Sequence, residues 1–363
     1  MALLDRQREL TDVLADEHLD LLLVTHLANI RYLTGFTGSA GVLLMGPSKP
    51  IFITDGRYTE QAREQVQGAR VTIAKGAALE AAARQIVGLK LARVGIESDH
   101  IAVSLRSHLR KLLPARVKLR ETSGLVEEIR VVKDGGELAA IARAVKLGAD
   151  IFKVALKTIR PGVRETDVAA ELEYAARRRG ADGMSFETIV ASGPRSALPH
   201  GKASMARIPA RGFVVLDFGV ILDGYCSDMT RTIHVGRPSP EARRMYDAVL
   251  KSQLAGINAV RAGAAAGEVD SACRNVLRKE RLGRVRLDRY FTHSTGHGVG
   301  LEIHELPRLA RNQEMLLAAG MVITIEPGVY VEGKGGIRIE DMVAVNEEGC
   351  DVLTPVSKEL IVL

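Results

Sequence analysis

The first third of the chain alternates between short apolar runs and longer stretches of mixed polarity. The apolar runs predict buried strands and the mixed stretches predict helices. Strands and helices that alternate along a chain favour an α/β layer architecture. After a first amphipathic helix, the predicted elements are strands at Leu19–Val24, Gly41–Met45, Pro50–Thr54 and Val71–Ala74 and helices at Thr59–Gln67 and Ala77–Val87.

The pattern changes around residues 128–134. Gly135 and Gly136 precede one long helix, predicted from Glu137 to about Thr158. A chain of 363 residues is also longer than one ordinary core needs. We therefore predict a domain boundary here, with an α/β domain over residues 1–130 and a second domain over residues 131–363.

The second domain contains an internal repeat. A long helix, an Arg-x-Gly turn, a shorter helix with an acidic first turn and a β-rich stretch occur twice in the same order. An Arg-x-Gly turn is common before helices, but the matched order favours two related αβ halves with a site between them. The two copies are Arg160–Gly162 with a helix ending near Gly180 and strands in 187–234, and Arg261–Gly263 with a helix ending near Gly283 and strands in 290–362.

Four segments of this domain are predicted to be strands that carry acids. They are Phe213–Phe218, Tyr225–Thr232, Met321–Glu326 and Ile337–Val343, and their acids include Asp217, Asp228, Glu326 and Glu340. A turn at Asp223-Gly224 is compatible with a hairpin that places Asp217 and Asp228 on adjacent strands.

Buried carboxylates require compensating charge or hydrogen bonds. Arg231 and Arg338 are close in sequence and offer salt bridges, which is the alternative explanation for any single acid. Two arginines cannot neutralise four carboxylates, whereas two divalent metal ions can.

Histidines accompany these acids. His293 and His297 have a helical i, i+4 spacing, but Gly296 and Gly298 oppose a helix, and no HExxH motif is present. A strand or loop that brings one or two histidines to the site is the better prediction. His200 lies in a loop ahead of the first acidic strand, where it is either a surface residue or part of the site.

Mostly oxygen ligands with one imidazole suit Mn(II), with Co(II) or Zn(II) as alternatives. Two such ions bridged by carboxylates generate a hydroxide nucleophile and stabilise an oxyanion, which predicts amide or ester hydrolysis. The sequence has no GxSxG motif, P-loop or early GxGxxG motif that would support another mechanism.

Composition argues against a nucleic-acid partner. The net charge is +6, but the charges are dispersed, and the chain has 7 Phe, 7 Tyr and no Trp. Three widely spaced cysteines, Cys226, Cys273 and Cys350, indicate a reducing compartment. The first residues are unlike a signal peptide, and no apolar run is long enough to span a membrane. We expect a soluble cytoplasmic protein with no membrane or nucleic-acid partner.

In its motifs the chain resembles the creatinase/prolidase/aminopeptidase P family of pita-bread metallopeptidases over nearly its whole length. The matching segments are Tyr32–Gly41, Phe186–Gly201, Asp217–Gly219 with Ser227–Thr232, Thr295–Gly300, Glu326–Tyr330 and Arg338–Asp341. The resemblance implies an α+β protein in which an α/β amino-terminal domain precedes a pita-bread catalytic domain with a pseudo-twofold αβ repeat.

The same resemblance implies five metal ligands. Asp228 and Glu340 would bridge two ions, Asp217 would bind one of them, and His297 and Glu326 would bind the other. Glu326 would also carry a proton from the bridging hydroxide to the leaving nitrogen.

Further residues are implied to act on the substrate. His200 and His304 would hold it and stabilise the tetrahedral intermediate, and His293 and Arg338 would support the site. Arg308 is a candidate anchor for the carboxylate of a dipeptide, because arginine binds carboxylates through two hydrogen bonds. A solvated loop arginine is the alternative.

The activity expected from the resemblance is Xaa-Pro aminopeptidase activity on proline-containing peptides. Xaa-Pro dipeptidase activity is the near alternative, and a catalytically silent binding protein is a third hypothesis. Members of the family are commonly oligomeric, so a homodimer is expected.

Overall fold

The computed structural model describes residues 3–89 and 92–363. Its amino-terminal unit ends at Arg130, and six strands of this unit form one sheet. The strands are β1 (Leu21–Val24), β2 (Val42–Met45), β3 (Ile51–Asp55), β4 (Arg70–Ala74), β5 (Arg93–Glu97) and β6 (Lys118–Thr122). The helices are α1 (Leu3–Asp16), α2 (Leu27–Thr34), α3 (Thr59–Gln65), α4 (Ala78–Gly88), α5 (Val103–Leu112) and α6 (Leu125–Arg130).

The sheet is mixed, with the order β4-β3-β2-β1-β5-β6. Strands β1, β5 and β6 run parallel to one another, while β2 is antiparallel to both β1 and β3. Every residue of β1 and of β2 is buried, as expected for central strands of apolar residues covered on both faces. Because β1, β5 and β6 are parallel, their carboxyl ends lie at the same end of the sheet.

The strands and helices predicted before residue 88 are confirmed to within about two residues at each end. Sequence patterns named no elements for residues 88–127, where the structure has β5, α5, β6 and the first half of α6. Strand β6 lies at the sheet edge and consists mainly of charged, exposed residues, so its apolar signal is weak.

The second unit starts at Val131 and contains four long helices and fifteen short strands. The helices are α7 (Gly135–Thr158), α8 (Glu165–Arg178), α9 (Pro240–Ala259) and α10 (Ala266–Lys279). The strands are β7 (Gly183–Met184), β8 (Ile189–Ser192), β9 (Gly212–Phe218), β10 (Val220–Leu222), β11 (Tyr225–Cys226), β12 (Met229–Val235), β13 (Arg281–Leu282), β14 (Val285–Arg286), β15 (Gly296–Gly298), β16 (Glu305–Leu309), β17 (Val322–Ile325), β18 (Gly328–Val331), β19 (Gly335–Arg338), β20 (Asp341–Val345) and β21 (Cys350–Val352).

The predicted repeat is present in the order of the elements. Helices α7 and α9 are each followed by a turn and then by a helix of 14 residues, α8 or α10. Gly162 and Gly263 end the two turns with φ angles of 86° and 82°, a left-handed conformation that favours glycine. The Arg-x-Gly motif thus has a conformational cause in both halves.

Each half contributes its own sheet. The first has the order β12-β9-β8 and the second the order β16-β15-β17-β20-β21, with β18 and β19 forming a separate hairpin. The first core includes Ile151, Leu172 and Leu216, which pack between α7, α8 and β9. The second core includes Val249 and Ile323 from α9 and β17.

Two predicted strands are wrong as continuous elements. Residues 337–343 form two strands, because β19 pairs with β18 while β20 pairs with β17, so the chain changes sheets at Ile339-Glu340. Residues 225–232 likewise divide at Ser227-Asp228, because β11 pairs with β10 and β12 pairs with β9. In both cases an acid lies at the break.

Helix α7 begins two residues before its predicted start, because the Asp134 side chain accepts hydrogen bonds from the amides of Gly136 and Glu137. The three cysteines are free thiols. No helix in the described ranges is long and apolar enough to cross a membrane.

Candidate metal centre

The four acids singled out in the sequence come from the ends and edges of strands in both halves. Asp217 lies on β9 directly opposite Thr230 of β12. Thr230 is two residues after Asp228, which lies at the break between β11 and β12. Glu326 follows β17 and Glu340 precedes β20, immediately beyond the last cross-strand pair of these two strands. Both glutamates therefore lie at the same end of the β17–β20 pair.

His297 lies on β15, as expected for a histidine in a strand, and its Nε2 atom faces the acids. This atom lies 3.5 Å from Oδ2 of Asp228 and 3.7 Å from Oε1 of Glu326. Asp228, His297 and Glu340 each offer one ligand atom, and these atoms lie within 4.8 Å of one another. This group of three could hold a metal ion.

The charges of the site favour a cation. Burial raises the pKa of Asp228 well above its ordinary value, and Glu340 and Asp217 raise it further. Burial followed by the charge of Glu340 has the same effect on the pKa of Glu326, and burial together with Asp217 raises the pKa of Glu340 to about 8. Such acids resist ionising together unless a cation lies among them.

Two further observations fit a divalent metal. Oδ1 of Asp217 and Oδ1 of Asp228 are buried and accept no hydrogen bond from the described residues. Burial lowers the pKa of His297 to about 4, so its imidazole is neutral at physiological pH and able to donate a lone pair. A set of carboxylates with one neutral imidazole suits manganese, cobalt or zinc.

Arg338 is the cation that the fold places beside the acids. Its guanidinium donates hydrogen bonds to Oδ2 of Asp217, to the hydroxyl of Tyr330 and, at 3.1 Å, to Oγ1 of Thr230. Thr230 in turn donates to Oε2 of Glu340 at 2.7 Å. A salt bridge therefore accounts for Asp217 but leaves the other acids without a full counter-charge.

Arg231 does not compensate the four acids, contrary to the alternative considered from the sequence. Its guanidinium binds Oδ1 of Asp341 at 2.7 Å, and Lys358 and Gln253 donate to the other oxygen of that carboxylate. The side chain of Arg231 therefore belongs to a separate buried network around Asp341, the first residue of β20.

The other three histidines singled out in the sequence lie near this centre. His304 packs its ring edge against His297, with centroids 4.5 Å apart. Nε2 of His293 lies 2.9 Å from the Tyr330 hydroxyl, and burial lowers the pKa of His293 to about 3. His200 is exposed on the loop whose Pro199 carbonyl accepts a hydrogen bond from Arg338.

Arg308 lies on β16 directly opposite His297. Directly opposed residues of an antiparallel pair point to the same face of the sheet. The Arg308 side chain is exposed, and no hydrogen bond or ion pair holds it within residues 3–89 and 92–363.

Two residues of the site were missed from the sequence, namely Thr230 and Tyr330. Asp228, Thr230 and Thr232 alternate along the chain, so a strand places them on one face, and this signal could have identified Thr230. Tyr330 had no such signal, because its role depends on contacts with Arg338 and His293.

Comparisons with known proteins agree with this geometry. The chain matches the metallopeptidase family M24 over residues 139–347 and the creatinase/prolidase N-terminal domain over residues 6–132.

Individual proteins are similar over nearly their whole length. A solved Xaa-Pro dipeptidase from Bacillus anthracis is 41% identical, with a TM-score of 0.96 and full coverage of both chains. An X-Pro aminopeptidase structure from Thermotoga maritima is 35% identical, with a TM-score of 0.88 and coverage of 95% of this chain and 98% of the other. An Xaa-Pro dipeptidase of Pyrococcus horikoshii is 34% identical over 98% of this chain and 99% of its own. These matches confirm the expected α+β, pita-bread fold.

Proposed function

Because the chain belongs to the metallopeptidase family M24, we propose that it is a metal-dependent exopeptidase that hydrolyses the bond between an amino-terminal residue and a following proline. The observation that carries this proposal is the group of buried acids around the neutral His297, which a single arginine leaves short of positive charge. A catalytically silent binding protein would have no need of such a group.

We assign two divalent ions to this centre, with Mn(II) preferred and Co(II) or Zn(II) as alternatives. Asp217, Asp228, His297, Glu326 and Glu340 would hold them. When bound, the ions would lower the pKa of water and stabilise negative charge on the scissile carbonyl. The orphaned oxygens of Asp217 and Asp228 support this assignment.

The protein's own groups would complete the reaction. We propose that Glu326, whose Oε1 lies 3.7 Å from Nε2 of His297, would take a proton from water and return it to the proline nitrogen as the bond breaks. We propose that His200 and His304 bind the substrate and stabilise the tetrahedral intermediate. Arg338 orients Asp217 and, through the Tyr330 hydroxyl, the ring of His293.

A dedicated enzyme for this bond has a chemical reason. The nitrogen of proline carries no hydrogen and its ring fixes φ, so enzymes that bind an extended backbone by its N–H groups recognise it poorly. The leaving group of the proposed reaction is therefore an imino nitrogen, which has to be protonated by a positioned acid.

The length of the substrate depends on Arg308. The sequence alone favoured longer peptides, but the placement of Arg308 opposite His297, exposed and without a side-chain partner in the described ranges, favours binding of a free carboxylate. The names of the relatives from B. anthracis and P. horikoshii also favour a dipeptide. We therefore propose Xaa-Pro dipeptides as substrates. Longer Xaa-Pro peptides are the second candidate, which the T. maritima relative supports.

The test compares an Xaa-Pro dipeptide with a tetrapeptide Xaa-Pro-Xaa-Xaa in wild-type protein loaded with Mn(II), Co(II) or Zn(II). We expect Arg308→Ala to lower kcat/KM for the dipeptide by about 10- to 100-fold, because a charge-assisted hydrogen bond is lost, and to leave the tetrapeptide almost unchanged. Arg311→Ala, an exposed arginine on the same segment, is the matched control.

The outcomes separate the hypotheses. Equal losses on both peptides in Arg308→Ala would refute the anchoring role of this residue. Rapid cleavage of the tetrapeptide with slow cleavage of the dipeptide would favour the aminopeptidase. No hydrolysis with any of the three metals would overturn the assignment as an enzyme.

A further inference from the structure

A second group of side chains that could hold a metal ion belongs to the amino-terminal unit. His26, His100 and Glu127 each follow one of the three parallel strands: His26 follows β1, His100 follows β5 and Glu127 follows β6. In open α/β sheets, ligands bind beyond the carboxyl ends of parallel strands, where the following loops meet. These three residues occupy that position.

Their ligand atoms are close enough to share an ion. One nitrogen of each histidine and a carboxylate oxygen of Glu127 lie within 4.8 Å of one another, and Nε2 of His100 is 2.9 Å from Oε1 of Glu127. Two imidazoles and a carboxylate are a donor set that zinc accepts, with water as the fourth ligand. We propose that the amino-terminal unit binds one Zn²⁺ ion at His26, His100 and Glu127.

The surrounding residues hold two of these ligands in place. Oε2 of Glu97 accepts the backbone N–H of His26 at 2.8 Å, and its Oε1 accepts the side-chain amide of Asn29 at 2.7 Å. The same amide donates to Oε1 of Glu127 at 2.6 Å, and Arg130 donates to the Asn29 oxygen. Glu97, Asn29 and Arg130 are buried. Buried partners of this kind orient ligands in metal sites.

The ligands are also accessible from solvent. The side chains of His100 and Glu127 are 25% and 23% exposed. The two imidazole rings are stacked with centroids 3.7 Å apart and an angle of 11° between their planes, so their lone pairs lie in two nearly parallel planes. Binding a shared ion therefore requires one ring to rotate. We assign this rotation to His100, whose side chain is 25% exposed and lies between β5 and α5.

The experiment counts zinc. Full-length protein is freed of metal, dialysed against buffered Zn²⁺ and analysed by elemental mass spectrometry. Wild type should bind one Zn²⁺ per chain more than His26→Gln or His100→Gln. Each substitution should lower the affinity for that ion by at least about tenfold. His108→Gln is the matched control, because His108 pairs with Glu80 on the same unit at 3.6 Å but has no third ligand among the described residues.

Variants of the catalytic centre keep this proposal separate from the proposed function. Asp228→Asn should lose zinc at the catalytic centre and retain the amino-terminal ion, while His100→Gln should retain peptidase activity. Thermal unfolding of the metal-free variants verifies that they are folded. Equal zinc content in wild type, His26→Gln and His100→Gln would overturn the proposal, whatever the peptidase activity.

Discussion

At the scale of single residues, Thr230 connects two charged groups that face each other across the site. Its hydroxyl accepts a hydrogen bond from Nε of Arg338 at 3.1 Å and donates one to Oε2 of Glu340 at 2.7 Å. All three side chains are buried, so neither charged group can replace this bond with water. Thr230 thereby fixes which oxygen of Glu340 is left for other partners.

We predict that Thr230→Val, which keeps the shape and removes the hydroxyl, lowers kcat/KM by about 10- to 100-fold and weakens metal binding, because residues that orient metal ligands have effects of this size. Thr230→Ser retains the hydroxyl and should stay near wild type. Steady-state kinetics with metal titration measures both. A Val variant within twofold of wild type would contradict the role of Thr230.

His293 makes a second prediction at this scale. Burial lowers its pKa from 6.5 to about 3, so the unfolded chain binds a proton that the folded chain does not between these pH values. The stability that neutral His293 contributes is therefore present above about pH 6.5 and is lost as the pH falls towards 3. Urea unfolding of His293→Gln should show a weaker loss of stability between pH 7.5 and pH 5 than wild type.

The comparison uses the same metal concentration in all samples. His108→Gln, which replaces an exposed histidine, should follow the wild-type pH dependence. If His293→Gln also followed it, the buried neutral state of His293 would not be the source of the acid sensitivity.

At the scale of elements, helix α10 holds the segment that leads to the candidate metal centre. Its Asp270 and Arg274 form a buried ion pair at 2.7 Å, and Arg274 donates to the carbonyls of Phe291 and His293. Asp270 also accepts the hydroxyl of Thr295, whose carbonyl accepts the N–H of Glu326 at 2.7 Å. The backbone around a proposed ligand is thus tied to one helix.

We predict that Asp270→Asn lowers the free energy of unfolding by about 3–5 kcal/mol, because it leaves the buried Arg274 without its counter-ion. Asp247→Asn on helix α9 removes a pair of the same i, i+4 spacing, but its side chains are 48% and 39% exposed. That control should lose less than about 1 kcal/mol. Denaturant unfolding measures both, and equal losses would contradict the argument from burial.

At the scale of the whole second unit, the two related halves meet at the candidate metal centre. Asp217 and Asp228 come from the first half, and His297, Glu326 and Glu340 come from the second. The N–H of Glu340 donates to the carbonyl of Thr230 at 3.1 Å, which joins the two sheets beside the acids. Ions bound there would connect both halves.

We therefore predict that removal of metal lowers the melting temperature of this unit. An ion present at 100 times its Kd contributes about 2.7 kcal/mol, which corresponds to roughly 5–10 °C for a unit of this size. Differential scanning calorimetry with and without a chelator, followed by re-addition of Mn(II), measures the shift. Asp228→Asn should show little or no shift, and an unchanged wild-type melting temperature would argue against metal ions at the junction.

The sequence by itself determined the types of most elements and the candidate acids. Strand β1 is apolar throughout and β9 is apolar except for Asp217, which stands out because a buried charge is unfavourable without compensation. The repeat was readable because Gly162 and Gly263 are required by the same left-handed turn. These signals depend on residues that are close in the chain, so they can be detected in a single sequence.

Only the tertiary structure decided which groups face one another. Arg231 and Arg338 look equivalent in the sequence, yet Arg231 pairs with Asp341 and Arg338 with Asp217. The strand breaks at Asp228 and Glu340 depend on which strand each segment pairs with, and such pairing joins residues distant in the chain. A sequence pattern records the faces of one element, whereas charge compensation and hydrogen bonding depend on the neighbours that folding supplies.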